Sequence, residues 1–250
     1  MVNFNWFANL ALQAQENGVG EGGKLKIIKD IRIYKSDVEN IDGNSLPIGF
    51  GDKILNAITT RVVMKLRENN FSLGEFDHLY INFTTCPVDG GAAFAKRSVD
   101  RYHPCYRYYD VNISDDMFSR LGSSEVRVEV INLIRNVLVQ NFVTDNFDEK
   151  QIHSCFTQAL EQGENMLMKF KEKVTANRKA IIYLRYLDNC RYLPFLRVLD
   201  LEDRILFETD LPETLDLNCL GDIQVSGKKV AVKPRKNAYT KTLQPLLFEY

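Results

Sequence analysis

Cys86 and His103 are the two residues of this sequence whose types could perform nucleophilic chemistry together. Cys86 follows an apolar, aromatic run at 79–83 and precedes Gly90 and Gly91. The glycine amides could bind an oxyanion, and His103 could serve as the base. However, the surrounding residues match neither a nucleophile elbow nor a papain-like signature. Free cysteine is also among the most often buried residue types, so a structural role for Cys86 is favoured over catalysis.

Histidine and cysteine also raise the question of a zinc site, which needs four ligands. The candidate ligands are two His-x-Cys pairs and two further residues: His103 and Cys105, His153 and Cys155, His78, and Cys86. His153 and Cys155 fall in a predicted helix, where residues two apart point about 200° away from each other. The glycine-rich segments match neither the dinucleotide fingerprint nor the P-loop. The sequence therefore predicts no metal and no other cofactor.

A dense run of tyrosine and arginine at 101–109 is the most unusual local feature. Such a run is typical of three settings: packing within a sheet, anchoring of a protein interface, or stacking on nucleic acid bases. The nearly neutral chain argues against nucleic acid, whereas packing and a protein interface both stay open. The candidate partner-binding residues of this run are Arg101, Tyr102, Tyr106 and Tyr108.

Charge is segregated towards the end of the sequence. Residues 200–222 contain eight acids and one base, whereas residues 223–241 contain six bases and no acid. Pairing between neighbouring strands, or simple solvation, would explain both segments. An acidic surface that docks a basic partner is the alternative. In that case the partner-binding residues would include Glu208, Asp210 and Glu213.

Composition sets the broad class of the protein. With 250 residues, 45% hydrophobic and 26% charged, the chain has an ordinary globular composition. Its 32 basic and 33 acidic residues produce no overall positive field. Five unevenly spaced cysteines favour a reducing compartment. Because no apolar run is long enough to span a membrane and no basic residue precedes the apolar segment at 6–12, we expect a soluble, cytoplasmic protein.

The elements that must position these residues follow from periodicity. Helical spacing or capping residues predict helices at 3–17, 52–69, 114–121, 125–142 and 148–174, and one helical turn at 92–97. Alternation or β-branched content predicts strands at 24–34, 79–83, 101–109, 181–187, 195–199, 204–209 and 246–248, and the segment at 224–230 has the pattern of a hairpin. Together they predict an α+β fold, with a mixed sheet, two long central helices and a C-terminal antiparallel strand meander. We expect a single domain over 1–250, with 144–148 as the place of any subdivision.

The loop at 86–91, the segment at 101–109 and the long helices after them resemble immunity proteins of bacterial polymorphic toxin systems. The resemblance covers the central third of the chain and assigns no functional residue. It implies a non-enzymatic protein that binds one cognate protein toxin and occludes its active site. The alternatives are an enzyme of another family that uses Cys86 and His103, and a regulatory or scaffold protein.

Overall fold

The computed structural model describes residues 25–38, 48–95 and 105–250. It divides the chain into two compact units, Met1–Glu161 and Gln162–Tyr250. The predicted helix at 3–17 and the candidates Arg101, Tyr102 and His103 lie outside the described residues. The expectation of one cooperative domain over 1–250 stays a prediction.

The first unit contains a five-stranded mixed sheet with the strand order β2-β1-β3-β5-β4. The strands are β1 Asp30–Lys35, β2 Ile48–Gly49, β3 His78–Thr84, β4 Ala92–Phe94 and β5 Tyr106–Asn112. The three central strands are parallel, and β2 and β4 pair antiparallel at the two edges. The predicted strand at 79–83 is confirmed. The helical turn predicted at 92–97 is wrong, because Ala92–Phe94 pairs with β5, a long-range pairing that a short apolar run does not reveal.

The described residues of this unit form four α-helices: α1 Lys53–Glu68, α2 Asp115–Arg120, α3 Arg127–Phe142 and α4 Glu149–Gln162. Side-chain caps confirm the predicted starts of α1 and α2. Asp52 accepts a hydrogen bond from the Leu55 amide at 3.0 Å, and Ser114 accepts one from the Met117 amide at 3.2 Å. None of the described helices has the length and apolar content that crossing a lipid bilayer requires.

The last helix ends twelve residues earlier than its spacing predicts. Asp148 and Gln151 form the expected capping box, with reciprocal hydrogen bonds of 2.7 and 2.8 Å, but α4 ends at Gln162. Gly163 follows in a left-handed conformation (φ 53°), and Met168–Val174 forms strand β6. Helix is therefore the wrong prediction for 168–174, because pairing with the next strand overrides the local apolar spacing.

The second unit is built from two antiparallel sheets. The first is a meander of β6, β7 Lys179–Tyr186, β8 Tyr192–Leu199 and β9 Ile205–Asp210. The other contains β10 Asp222–Ser226, β11 Lys229–Lys233 and β12 Leu246–Glu249. Phe207 of β9 joins the two sheets through ring contacts with Phe248 and Tyr250, at centroid distances of 5.9 and 6.0 Å. The predicted meander, hairpin and last strand are confirmed, and the fold class is α+β.

We expect the Asp52 cap to stabilise the first unit more than an ordinary cap does. Asp52 is buried, and it also pairs with Arg127 at the start of α3 through two contacts of 3.0 and 3.2 Å. Asp52→Ala should lower the free energy of unfolding by roughly 2 to 4 kcal/mol, because a cap and a charge partner are lost together. Ser114→Ala, which removes an isolated cap, should cost about 1 kcal/mol or less. Urea denaturation checks both, and equal losses would contradict this role of Arg127.

Candidate partner-binding surfaces

Aromatic rings cover one face of the parallel strands in the first unit. We call this face the tyrosine face, and it consists of Tyr34, His78, Tyr80, Tyr106 and Tyr108. Strand register explains the cluster, since Tyr80 lies directly opposite Arg32 on one side and Tyr108 on the other. The Tyr80 ring is 5.0 to 5.5 Å from the rings of Tyr34, Tyr106 and Tyr108. The structure thus brings Tyr106 and Tyr108 together around Tyr80.

The tyrosine face is packed at its centre and accessible at its rim. Tyr80 is only 3% exposed and Tyr108 is 4% exposed, whereas Tyr106 is half-buried. Burial raises the pKa of the Tyr80 hydroxyl well above its usual range, and the positive charge of Arg32 opposes this shift. Arg32 lies over the Tyr80 ring at 5.5 Å. Sheet packing is therefore the role that burial supports for Tyr108, and Tyr106 keeps a surface that a partner could contact.

Polar groups follow the aromatic rings towards the carboxyl ends of the parallel strands, which is where ligands bind in open sheets of this kind. Asn82 donates a hydrogen bond to Asp110 at 2.9 Å, and both side chains are buried. Asn112 donates to the carbonyl oxygens of Thr85 and Cys86 at 3.3 and 2.8 Å. The Asn82–Asp110 bond thus joins β3 to β5, and Asn112 holds the loop after β3 in place.

Cys86 lies in this loop and makes ordinary structural contacts. Its thiol donates to the Asp37 carbonyl oxygen at 3.0 Å, and its amide donates to the Thr84 hydroxyl at 3.0 Å. The Gly91 amide, a candidate oxyanion donor, bonds the Val88 carbonyl oxygen at 2.9 Å. Among the described residues, no group of three or more His, Cys, Asp or Glu side chains is placed to hold a metal ion.

A cluster of charged groups at the opposite ends of these strands was missed by sequence reasoning. Asp77 pairs with Lys29 at 2.7 Å and with His78 Nδ1 at 2.6 Å, and Lys26 donates to the Cys105 sulfur at 2.8 Å. Burial alone would raise the pKa of Asp77, but the bonds from Lys29 and His78 hold it below its usual range. The cluster ties together the starts of three parallel strands. The residues of this cluster are up to 79 positions apart, so no local sequence pattern predicts the cluster.

In the second unit, the acidic candidates are paired with arginines of neighbouring strands and turns. Glu208 pairs with Arg197 and Asp210 pairs with Arg185, while Glu213 contacts Arg191 at 2.6 Å. Further acids of the block also have partners: Asp200 and Glu202 with Arg204, and Asp203 with Lys179. This is the cross-strand pairing that the sequence left open, and it makes the acidic block a surface of mixed charge.

Two of these arginines, Arg185 and Arg197, belong to an ordered row on one face of the meander, which we call the arginine ladder. It consists of Tyr183, Arg185, Phe195, Arg197, Glu208 and Asp210. Arg197 lies 5.4 Å from the Tyr183 ring and 5.6 Å from the Phe195 ring, and Arg185 lies 5.8 Å from Phe195. The residues that alternate with the ladder along β7 and β8 are buried, and the ladder's own are half-buried or exposed. This alternation was visible in the sequence and could have identified Arg185 and Arg197.

Comparison with protein-family models, curated proteins and solved structures gives no match for this chain. The resemblance to immunity proteins therefore stays a hypothesis.

Two alanine variants of the tyrosine face should separate packing from accessibility. We expect Tyr108→Ala to lower the free energy of unfolding by about 3 kcal/mol or more, because a buried ring leaves a cavity beside Tyr80. Tyr106→Ala should cost about half as much, since this ring is only half-buried. Thermal and urea unfolding of the isolated protein check the order. A Tyr108→Ala variant as stable as the wild type would show that the ring packs against no core.

The depressed pKa of Asp77 predicts a pH-dependent contribution to stability. A carboxyl with a lowered folded-state pKa stabilises the fold above its unfolded pKa, and this contribution is lost as the pH falls through the folded value. At pH 7 the free energy of unfolding of the wild type should exceed that of Asp77→Asn by about 1 to 3 kcal/mol, and this difference should shrink below about pH 4. The control is Asp30→Asn, which alters the more exposed Asp30–Arg32 pair. A difference for Asp77→Asn that stays constant from neutral to acid pH would contradict the assignment.

Proposed function

We propose that this protein is a non-enzymatic binding protein that neutralises a cognate protein toxin by direct contact, as the resemblance to immunity proteins implies. The observation that carries the proposal is the arginine ladder of the second unit. It contains two of the acids predicted as partner-binding residues, Glu208 and Asp210, together with aromatic and guanidinium groups on the same face.

The composition of the ladder is that of an interface anchor. Arginine and tyrosine are enriched among the residues that dominate binding energy, and aromatic rings supply large contact areas. Tyr183, Phe195 and Arg197 are half-buried, so each has support from its neighbours and a surface still available to a partner. A sheet face that contacted only water would need no such rings, because the solvated face of an antiparallel sheet usually carries polar residues.

The ladder is also held in order before any partner arrives. Each arginine lies between a carboxylate on β9 and an aromatic ring on β7 or β8, which restricts its rotamers. A preordered side chain loses less conformational entropy on binding, so more of its contact energy contributes to affinity. The acids Glu208 and Asp210 thus act by orienting arginines, and the alternation of charge along the face favours one complementary partner over others.

The test compares two charge-removing double variants of the second unit. Arg185→Ala with Arg197→Ala removes the ladder, whereas Arg204→Ala with Lys229→Ala removes ion pairs in the β8–β9 turn and in the other sheet. The binding partner to be tested is the product of a toxin gene adjacent to the gene for this protein, which the proposal predicts, and growth rescue on co-expression is the cellular assay. Binding kinetics on purified proteins should show dissociation faster by about 30-fold or more for the ladder variant, because anchors act on residence time.

The control variant should keep the wild-type dissociation rate and rescue growth. Melting temperatures of both variants show whether a loss of binding comes only from unfolding of the variant. If the two wild-type proteins fail to associate at micromolar concentration, the neutralising function is wrong. If they associate but both double variants bind equally well, the partner contacts another surface and the ladder is not the site.

A further inference from the structure

A basic cavity lies beside the loop that follows β11 in the second unit. Its volume is about 660 Å³. Four cationic side chains line it: Lys233, Arg235, Lys236 and Lys241. The apolar part of the lining includes Pro234, Leu243 and Pro245. None of the described residues lining the cavity is an aspartate or a glutamate. The cavity therefore combines a concentrated positive charge with an apolar wall.

The charges of the cavity are not neutralised within the described part of the chain. Lys229, on the same strand but outside the cavity, forms an ion pair with Glu249 at 2.6 Å. No such pair within 4.0 Å exists among described residues for the four lining cations. Asp222 is the cross-strand neighbour of Lys233, yet the two side chains form no ion pair within 4.0 Å. Four like charges on one short loop repel one another, and a bound anion would relieve that repulsion.

The loop that carries these charges is fixed by backbone contacts. The Gly221 amide donates to the Lys233 carbonyl oxygen at 2.6 Å, and the Arg235 amide donates to the Asn218 carbonyl oxygen at 2.8 Å. A Cβ atom at Gly221 would lie 2.3 Å from the Arg235 nitrogen, so only glycine permits this approach. Thr240 is buried, and its hydroxyl donates to the Arg235 carbonyl oxygen across the loop. The path of the loop is thus fixed by its backbone, and the cavity beside it is open, with Arg235, Lys236 and Lys241 exposed.

A neighbouring lysine reports the positive field. The Lys171 ammonium donates to the Gly221 carbonyl oxygen, directly behind the loop. Burial and then the positive charge of Arg235 lower its pKa, and the carboxylate of Asp222 opposes the shift. Lys171 thus adds a further cation next to the loop.

We propose that this cavity binds a small ligand that carries phosphate groups, such as a nucleotide. Lysine and arginine are the side chains that recognise phosphate, and the volume is within the range of about 300 to 1,000 Å³ found for small-ligand sites. The apolar wall of Pro234, Leu243 and Pro245 would contact the organic part of the ligand. A nucleic acid strand would instead need a basic groove along its length, whereas these charges are confined to one loop. This proposal is independent of the toxin-binding function.

Isothermal titration with inorganic pyrophosphate and with ADP tests the site on the full chain. We expect each to bind with 1:1 stoichiometry, ADP more tightly, and both more weakly as NaCl rises from about 0.05 to 0.3 M. The double variant Lys236→Glu with Lys241→Glu should bind pyrophosphate and ADP about tenfold or more weakly than the wild type. The matched control is Lys173→Glu with Lys228→Glu, the same change of charge at exposed positions of this unit outside the cavity. It should bind like the wild type.

Gly221→Ala supplies a second variant that leaves the charge unchanged. If it melts as a folded protein, it should also weaken ADP binding, because the added Cβ displaces the loop. The proposal is overturned if neither probe binds the wild type, if the cavity variant and its control lose affinity equally, or if only a single-stranded oligonucleotide binds. The last result would assign the basic segment to nucleic acid.

Discussion

The first unit depends on a central strand that is buried on both of its faces. On one face of β3, Leu79, Ile81 and Phe83 have no measurable exposure, and on the other Tyr80, Asn82 and Thr84 are at most 3% exposed. A parallel strand in this position is usually apolar throughout. Here one face is polar, so its groups must find partners inside the protein, as the Asn82–Asp110 bond shows. A slip of one residue would exchange the two faces and leave those groups unpaired, which fixes the register.

The second unit meets a different constraint, because its meander buries one face and leaves the other half-exposed. Aliphatic residues fill the buried face. The half-exposed face is occupied by arginines that need both a charge partner and a surface for their long stems, and the neighbouring strands supply carboxylates and rings. The proposed binding surface follows from this arrangement, since what stabilises an arginine on a sheet also presents it to a partner.

Much of the fold could be predicted from the sequence because the signals were local. The α1 and α2 caps, the capping box at Asp148 and the alternation in β7 each depend on residues within a few positions of one another. The errors came from long-range pairing, which turned 92–94 and 168–174 into strands. The contacts that build the candidate surfaces could not be predicted for the same reason. Tyr80 and Tyr108 are neighbours only through the register of β3 and β5, and Arg185 finds Asp210 only through β8.

The shape and the charge of the loop after β11 are determined by different residues, and Gly221 affects only the shape. The shape of the loop depends on a position where no side chain fits, while its charge resides on exposed side chains that no ion pair holds in place among the described residues. Substitutions at Lys236 or Lys241 can therefore alter what the loop attracts without altering its path. If the loop binds a phosphate ligand as proposed, related proteins could exchange one ligand for another through substitutions at these exposed positions, while the path of the backbone stays the same.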